Sequence, residues 1–288
     1  MKVLITGGTG RAGSEVVKAL LQRGADVRVL TRDKHAKLPP KVELSVGDLQ
    51  DPVTTQAAMQ GIDKLFLLVG NVPDELTQAL LTLEVARKAK VKHITYLSVF
   101  QAERFVGVPH FIAKHTVEIA LKTFDTPFTI LRPGYFFQND VALKDALIGA
   151  GIFPTPIGTP GVAAVDVRDI AEAAAISLTS EGHAGKTYNV VGSAPISGPG
   201  AAAIWGDALG RQVNYANLPL DVFEAQMRTM LPSWIALELR MMFQIYQEGW
   251  FTPTSADVAT LSTLLRRAPR SYEDFVRETA KEWKAKSS

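Results

Sequence analysis

The sequence predicts an α/β fold built on a doubly wound parallel sheet, and two observations support this prediction. Short apolar runs rich in β-branched residues alternate with helical patterns, and a glycine-rich turn separates the first run from the first helix. Such alternation is typical of a parallel sheet that is covered by helices on both faces. Right-handed crossovers that start in the middle of the sheet then wind it in both directions.

The alternation can be followed strand by strand as far as Pro133. Strands are predicted at residues 2–6, 27–30, 42–46, 65–69, 94–99 and 128–131, with a last strand near 187–191. Helices are predicted at residues 14–23, 76–90, 111–122 and 166–178, the last of them capped by Asp166. We therefore predict a core over residues 1–150, to which the last strand returns. A smaller, mostly helical lobe over residues 151–288 is expected to depend on this core.

The composition excludes several classes of protein. The chain has 288 residues, a formal net charge of +2 and no cysteine. So small a charge does not predict nucleic-acid binding, and no apolar run reaches the ~18 residues of a membrane-spanning helix. The absence of cysteine excludes disulfides and thiol catalysis and fits a cytoplasmic location. Because a strand begins at Lys2, no signal peptide is expected, and the five scattered histidines predict no metal site.

A glycine-rich motif, Thr6-Gly7-Gly8-Thr9-Gly10-Arg11-Ala12-Gly13, follows the first strand and opens the first helix. Its glycines let the backbone approach a pyrophosphate, and the helix N-terminus supplies N–H donors and a positive dipole. The strand–turn–helix context is the one that a Rossmann-type dinucleotide site requires. We therefore predict cofactor contacts from Gly7, Gly8, Thr9, Gly10, Arg11, Ala12 and Gly13. The alternative is a tight turn that binds no ligand.

The end of the second strand favours NADP over NAD. An NAD-binding protein usually has an acid there to bind the ribose hydroxyls, whereas this chain has Thr31 and Arg32, with Asp33 one position late. Arg32 can bind a 2′-phosphate with charge-assisted hydrogen bonds, helped by Arg11. The alternative is that Arg32 is a solvated residue at a strand end. After the third strand, Asp48 is predicted to accept a hydrogen bond from the adenine amino group.

Seven segments, taken together and in this order, resemble the NmrA-like family of atypical short-chain dehydrogenases/reductases. They are TGGTGRAG at 6–13, Thr31-Arg32, GDL at 47–49, YLSV at 96–99, HFIAKHTVE at 110–118, RPGYFFQN at 132–139 and DVRDIAEAAA at 166–175. The resemblance implies NAD(P)(H) binding. It also implies further cofactor contacts from Leu49, Val69, Ser98, Lys114, Gly134, Tyr135, Phe136 and Phe137. Some members reduce quinones, dyes or other unsaturated compounds, and others are regulators that sense the redox state of the cofactor.

The chain departs from the superfamily at one position. Typical members have a catalytic Ser after the fifth strand and a Tyr–Lys pair on the next helix, which correspond here to Ser98, His110 and Lys114. A Tyr phenol beside a Lys cation can donate a proton to a developing alkoxide. A His starts near pKa ~6.5, and a nearby cation lowers this value, so it is a poor donor at neutral pH. The alternatives are that His110 is an ordinary residue at a helix start and that Lys114 is solvated.

The missing phenol argues against an alcohol dehydrogenase or a sugar-nucleotide epimerase, but it leaves two functions open. A quinone-like or conjugated aromatic acceptor takes hydride directly, so we predict an NAD(P)H-dependent reductase of a small apolar or aromatic substrate. The alternative is a non-catalytic, NADP(H)-sensing regulator with a protein partner. Neither function requires nucleic acid or a membrane, and a monomer or homodimer is expected.

The second half of the chain contains a stretch rich in methionine and aromatic residues. It comprises Met227, Met230, Trp234, Met241, Met242, Phe243, Tyr246, Trp250 and Phe251. Flexible and polarizable side chains of this kind suit a broad apolar pocket, which would make this stretch part of a substrate-binding lobe. The alternative is that they pack the helices of the lobe together.

Overall fold

The computed structural model describes residues 1–285 in two compact units. The first unit comprises Met1–Pro133 and Val167–Val190, and the second comprises Gly134–Asp166 and the described residues from Val191 onward. The chain thus leaves the first unit after Pro133, and residues 134–150, which we predicted within the core, group with the second unit. The reason is strand pairing, because Tyr135 and Phe136 pair with Ala164 and Val165 and not with the central sheet.

The secondary structure is numbered here in chain order. The strands are β1 Lys2–Thr6, β2 Asp26–Thr31, β3 Val42–Val46, β4 Lys64–Leu67, β5 His93–Leu97, β6 Phe128–Pro133, β7 Tyr135–Phe136, β8 Ile152–Phe153, β9 Ala164–Val165, β10 Lys186–Val190 and β11 Asn214–Tyr215. The α-helices are α1 Arg11–Gln22, α2 Pro52–Met59, α3 Glu75–Lys88, α4 Pro109–Leu121, α5 Val167–Thr179, α6 Gly198–Leu209, α7 Leu220–Arg228, α8 Ser233–Gln247, α9 Ser255–Leu265 and α10 Tyr272–Ala285.

The first unit is built on a seven-stranded parallel sheet with the order β10-β6-β5-β4-β1-β2-β3. The chain winds outward from β1 in one direction through β2 and β3, and in the other through β4, β5, β6 and β10. Ligands bind such sheets outside the carboxyl ends of the strands, at the point where the winding reverses. That point lies between β1 and β4. The predicted doubly wound α/β fold is confirmed.

Helices cover the central strands, which explains their continuous apolar runs. Val3, Leu4 and Ile5 of β1 are fully buried, and every residue of β5 is buried. Helix α1 packs against α5, in which Ala173, Ala174 and Ala175 are all buried. The predicted helix over 166–178 is therefore part of the first unit, where it supports the sheet.

The second unit is mainly helical and has an aromatic core. The Trp205 and Trp283 rings stack with centroids 4.9 Å apart, and Phe137 packs edge-on against Tyr272. Two small parallel pairings, β7 with β9 and β8 with β11, were not expected from the sequence. Each strand has only two residues, which is too short to leave a periodic pattern. Within residues 1–285, none of the helices combines the length and apolar character needed to cross a membrane.

Candidate functional site

The predicted phosphate-binding turn lies between β1 and α1 and is closely packed. Gly7 has a φ of +66°, which favours glycine, and a Cβ there would lie 2.0 Å from Leu68 Cδ2. A Cβ on Gly13 would lie 2.1 Å from the Gly7 carbonyl oxygen. These two close approaches let the first turn of α1 sit directly against the end of β1. The turn therefore has the shape that brings backbone N–H groups near a bound phosphate.

The beginning of α1 suits an anion. In the described chain, no side chain caps the helix at Gly10, and its first turn contains no acidic residue. The N–H of Gly10 donates to the Gly7 carbonyl at 3.0 Å, which closes the turn. The remaining N–H groups of the first turn and the positive end of the helix dipole are consequently not offset by a side-chain carboxylate.

The ends of β1 and β4 are joined beside this turn. The Thr6 hydroxyl accepts from the Leu68 N–H and donates to the Leu68 carbonyl, both at 2.8 Å. Thr6 is 1% exposed, so this pair of hydrogen bonds is protected from water. These two hydrogen bonds hold the carboxyl ends of β1 and β4 together at the point where the winding of the sheet reverses.

A cleft opens along the carboxyl ends of the strands on the β2 and β3 side of this point. It is lined by Thr6, Gly7, Thr9, Leu30, Thr31, Arg32, Gly47, Asp48, Leu49, Leu68, Gly70, Val72 and Gln78. The structure thus brings together five predicted cofactor residues, namely Gly7, Thr9, Arg32, Asp48 and Leu49. Gly8, Gly10, Arg11, Ala12 and Gly13 belong to the same turn and helix start, where Ala12 is buried beneath the surface. Gly70, Val72 and Gln78 were not identified from the sequence as residues of the cleft. Of these three, only Gly70 left a signal in the sequence, since it is a glycine that follows β4.

Arg32 lies at the rim of the cleft, and its contact with a 2′-phosphate stays a prediction. Arg32 is exposed directly after β2. Asp33, the residue that could replace it as a ribose-binding acid, uses Oδ1 to accept from the His35 N–H at 2.8 Å. Hydrogen bonds from Gln78 and Gln50, and then the charge of Arg32, lower the pKa of Asp74. Arg32 itself lines the cleft together with Gln78, whose side-chain amide donates to Asp74.

Asp48 lies in the cleft wall after β3. Its Oδ1 accepts from the Gln50 N–H at 3.0 Å, and its own N–H donates to Thr54 Oγ1 at 3.2 Å. These contacts fix the turn that places the carboxylate and Leu49 at the cleft. The arrangement is compatible with the predicted hydrogen bond to an adenine amino group, which stays a prediction.

Ser98, a predicted catalytic residue, is buried in a network of charges. It follows β5 and is 3% exposed, and its hydroxyl donates to Glu118 Oε1 at 2.5 Å. Glu118, on α4, is fully buried and also accepts from Arg132 Nε at 2.9 Å and Arg132 Nη2 at 2.5 Å. Arg132 Nη1 in turn contacts Glu103 at 2.8 Å. Burial opposes the charge of Arg132, but Glu118 and Glu103 outweigh it and raise the pKa of the guanidinium.

Lys114 lies one turn before Glu118 on the same helix and also has a carboxylate partner. Its ammonium contacts Glu75 Oε1 at 2.5 Å, with the lysine side chain 14% exposed and Glu75 3% exposed. Glu75 is the first residue of α3, so the pair joins α3 to α4. Sequence reasoning missed both carboxylates. His110, Lys114 and Glu118 are spaced i, i+4 and i+8, and this signal could have identified Glu118 as a residue on the same face.

His110 lies in the first turn of α4, as predicted for the position of the missing Tyr. It is partly exposed, and its ring packs edge-on against Phe111 with centroids 4.6 Å apart. A phenol is present on Tyr96 of β5, the strand that precedes Ser98. Burial, and then the charges of Glu75 and Glu118, raise the pKa of Tyr96 well above its usual value. Because Tyr96 is 1% exposed, its hydroxyl is not accessible to a substrate.

The remaining predicted contacts lie outside the cleft. Val69 follows β4 and is 5% exposed. Gly134, Tyr135, Phe136 and Phe137 belong to the second unit, where the Tyr135 hydroxyl donates to Asp140 Oδ1 at 2.7 Å. Burial raises the pKa of Asp140 to about 6, against the effect of its hydrogen bonds from Tyr272 and Tyr135. Tyr135 and Phe137 are thus tied into the core of the second unit, and their contact with a cofactor stays a prediction.

The methionine- and aromatic-rich stretch of the second unit contains buried, partly buried and exposed members. Phe243, Tyr246 and Phe251 are buried and contact one another in sequence, with centroids 5.6 and 4.6 Å apart. Met230 and Trp250 are 67% and 50% exposed. The buried aromatics therefore pack the helices of this unit, and a contact of the exposed members with an apolar substrate stays a prediction.

Three similar proteins bear on this site. The chain is 29% identical over 284 residues to the NAD(P)H azoreductase of Xenophilus azovorans, covering 96% of this chain and 98% of that protein. It superposes with a TM-score of 0.86 on the triphenylmethane reductase of Citrobacter sp. in complex with NADP(H), at 26% identity. It superposes with a TM-score of 0.84 on the NADPH-dependent quinone oxidoreductase of Escherichia coli in complex with NADPH, also at 26% identity. Both superpositions cover 96% of this chain and 99% of the other.

The match to a known family extends over nearly the whole chain. The NmrA-like family is matched from residue 1 to residue 276, which includes the whole first unit and most of the second. The resemblance inferred from the seven sequence segments is therefore confirmed. This protein belongs to the NmrA-like family.

Proposed function

We propose that this protein is an NADPH-dependent reductase of quinone-like or conjugated aromatic acceptors. The observation that carries the proposal is the cleft in which the glycine turn, Arg32 and Asp48 meet. The full-length similarity to reductases of azo compounds, quinones and triphenylmethane dyes supports the same conclusion. The residues present fit a dinucleotide, because the closely packed turn and the uncapped start of α1 form a cradle for a pyrophosphate.

The rim of the cleft supports NADPH as the cofactor. Arg32 would bind the 2′-phosphate, and the engagement of Asp33 with its own turn disfavours the usual carboxylate contact to a free ribose diol. Asp48 and Leu49 would hold the adenine. The rest of the dinucleotide would cross the reversal point between β1 and β4 toward Ser98 and Lys114, since dinucleotides span this crevice in doubly wound sheets.

The chemistry at the nicotinamide end follows from the available side chains. The bound reduced cofactor supplies a hydride, and a quinone that takes this hydride and one proton becomes a hydroquinone. The product of hydride addition is an aryloxide, whose conjugate acid has a pKa near ~10, so water can deliver the proton. Lys114 would orient the ribose, and His110 would border the acceptor without acting as an obligatory acid. A simple ketone is a poor substrate because its alkoxide requires a proton donor as it forms.

The test is NADPH oxidation by the purified protein against a panel of acceptors. The panel contains a benzoquinone, a naphthoquinone, an azo dye and a triphenylmethane dye, with cyclohexanone as the negative control. We expect turnover of at least one conjugated acceptor and none of the ketone. Tight NADPH binding without turnover of any conjugated acceptor would contradict the proposal and favour the redox-sensing regulator. The predicted cytoplasmic location and the predicted state, monomer or homodimer, stay predictions.

A further inference from the structure

Two of the three side chains predicted to be catalytic, one after β5 and one on α4, each contact a buried carboxylate. Ser98 contacts Glu118, and Lys114 contacts Glu75. Buried carboxylates are rare unless they are paired, so both require an explanation. The two pairs differ in how many of their hydrogen-bonding groups have partners. This difference indicates that the two pairs have different roles.

In the pair of Ser98 and Glu118, both carboxylate oxygens of Glu118 have hydrogen-bond partners. Glu118 accepts three hydrogen bonds, one from Ser98 and two from Arg132, and Arg132 directs its remaining nitrogen to Glu103. The single hydroxyl proton of Ser98 is used in this contact. Ser98 is also only 3% exposed. This network therefore joins β5, β6 and α4 and has little capacity left for a ligand.

In the pair of Lys114 and Glu75, one of the two carboxylate oxygens has a described partner. Only Oε1 contacts Lys114, and Oε2 is buried without a hydrogen-bond partner among the residues that the structure describes. The ammonium has three donors and directs one of them to Glu75. Glu75 is the more deeply buried partner, since its side chain is 3% exposed and that of Lys114 is 14% exposed. The contact with Glu75 thus leaves donors of the ammonium for a ligand.

We infer that Glu75 positions Lys114 for its contact with the nicotinamide ribose. Its carboxylate holds the ammonium in one orientation, a role that needs no phenol at residue 110. This inference rests on the proposed function, in which Lys114 binds the ribose. Glu75 acts through Lys114 and does not itself touch the cofactor. A positioning error on the order of 1 Å can lower a rate about a hundredfold, so the effect of losing Glu75 is measurable.

A double-mutant cycle on the full-length protein tests the inference. The variants are Glu75→Gln, Lys114→Ala and the double variant, each compared with wild type by single-turnover hydride transfer to a benzoquinone and by NADPH affinity. Glu75→Gln should slow hydride transfer by about ten- to a hundredfold. If Glu75 acts through Lys114, the double variant should be no slower than Lys114→Ala alone. NADPH affinity of Glu75→Gln should change less than the rate.

Matched variants separate positioning from folding. Glu84→Gln removes an exposed carboxylate from the same helix, which pairs with Arg87, and should behave as wild type. Should Glu75→Gln fail to fold, Glu75→Asp retains the charge with a shorter reach, and it should slow hydride transfer without a loss of structure. Independent effects that multiply in the double variant, or a wild-type rate in Glu75→Gln, would overturn the inference.

The outcomes for the proposed function and for Glu75 are distinguishable. If the wild type turns over the acceptor and the effects of the two substitutions are additive, only the role of Glu75 is refuted. Wild-type NADPH binding without turnover refutes the reductase, and the same cycle is then run on NADPH affinity, where coupling supports Glu75 and additivity refutes it. Absence of NADPH binding by the folded wild type refutes both.

Discussion

The glycine turn and the α4 region, which we propose to contribute to one site, are built by different means. The turn uses backbone groups within eight consecutive residues, and the close approach at Gly13 is to the Gly7 carbonyl oxygen, a backbone atom. The α4 region uses charged side chains that meet partners 39 and 20 positions away along the chain, Lys114 with Glu75 and Ser98 with Glu118. A local motif therefore determines the first region, and tertiary contacts determine the second.

The largest effect is expected in the glycine turn. Gly13→Ala places a Cβ 2.1 Å from the Gly7 carbonyl oxygen, so the turn must open. We expect a loss of NADPH affinity of more than about a hundredfold, because the interactions with charged phosphate groups each contribute ~1.5–3 kcal/mol. Fluorescence titration with NADPH measures the loss. Gly107→Ala is the control, since a Cβ there meets no atom within 4 Å. Unchanged affinity in Gly13→Ala would show that the turn is not the phosphate site.

The next largest effect concerns the stability of the α4 region. Glu118→Gln leaves the partly buried Arg132 without its doubly hydrogen-bonded counter-ion. Breaking such a pair typically costs ~3–5 kcal/mol in the free energy of unfolding, which urea denaturation measures. Glu103→Gln removes the 48% exposed partner of the same guanidinium and should cost less than ~1 kcal/mol. Equal losses for the two variants would mean that the buried network does not stabilise this region.

The smallest effect is expected at His110. If hydride transfer needs no protein acid, His110→Ala should leave kcat for a benzoquinone within about tenfold of wild type, whereas loss of a positioned general acid costs about 10²–10⁴ in rate. Steady-state kinetics across pH 5–8 measure this. His110→Tyr is the informative companion, and activity on cyclohexanone in that variant would show that the phenol position is intact. A thousandfold loss in His110→Ala, with a wild-type rate that rises as the imidazole is protonated, would make His110 the proton donor.

The same contrast explains how much the sequence alone could predict. The doubly wound sheet, the glycine turn and the position of Arg32 after β2 were predictable. Periodicity and a short motif indicate them, and both are local features of the sequence. Glu118 left a weak signal, since it lies one turn after Lys114 on one face of α4. Glu75 left none, because nothing in a sequence indicates that residues 75 and 114 are in contact. The boundary at Pro133 was also not predictable, since it depends on Tyr135 and Phe136 pairing with residues nearly 30 positions later.

The measurement that tests the central claim most directly compares NADPH and NADH in Arg32→Ala. If Arg32 binds the 2′-phosphate, its removal should weaken NADPH binding by about ten- to a hundredfold, which corresponds to ~1.5–3 kcal/mol, and should hardly change NADH binding. Lys34→Ala, which removes an exposed cation two positions away, should leave the preference for NADPH unchanged. Equal losses for both cofactors in Arg32→Ala, or no preference for NADPH in the wild type, would contradict the account.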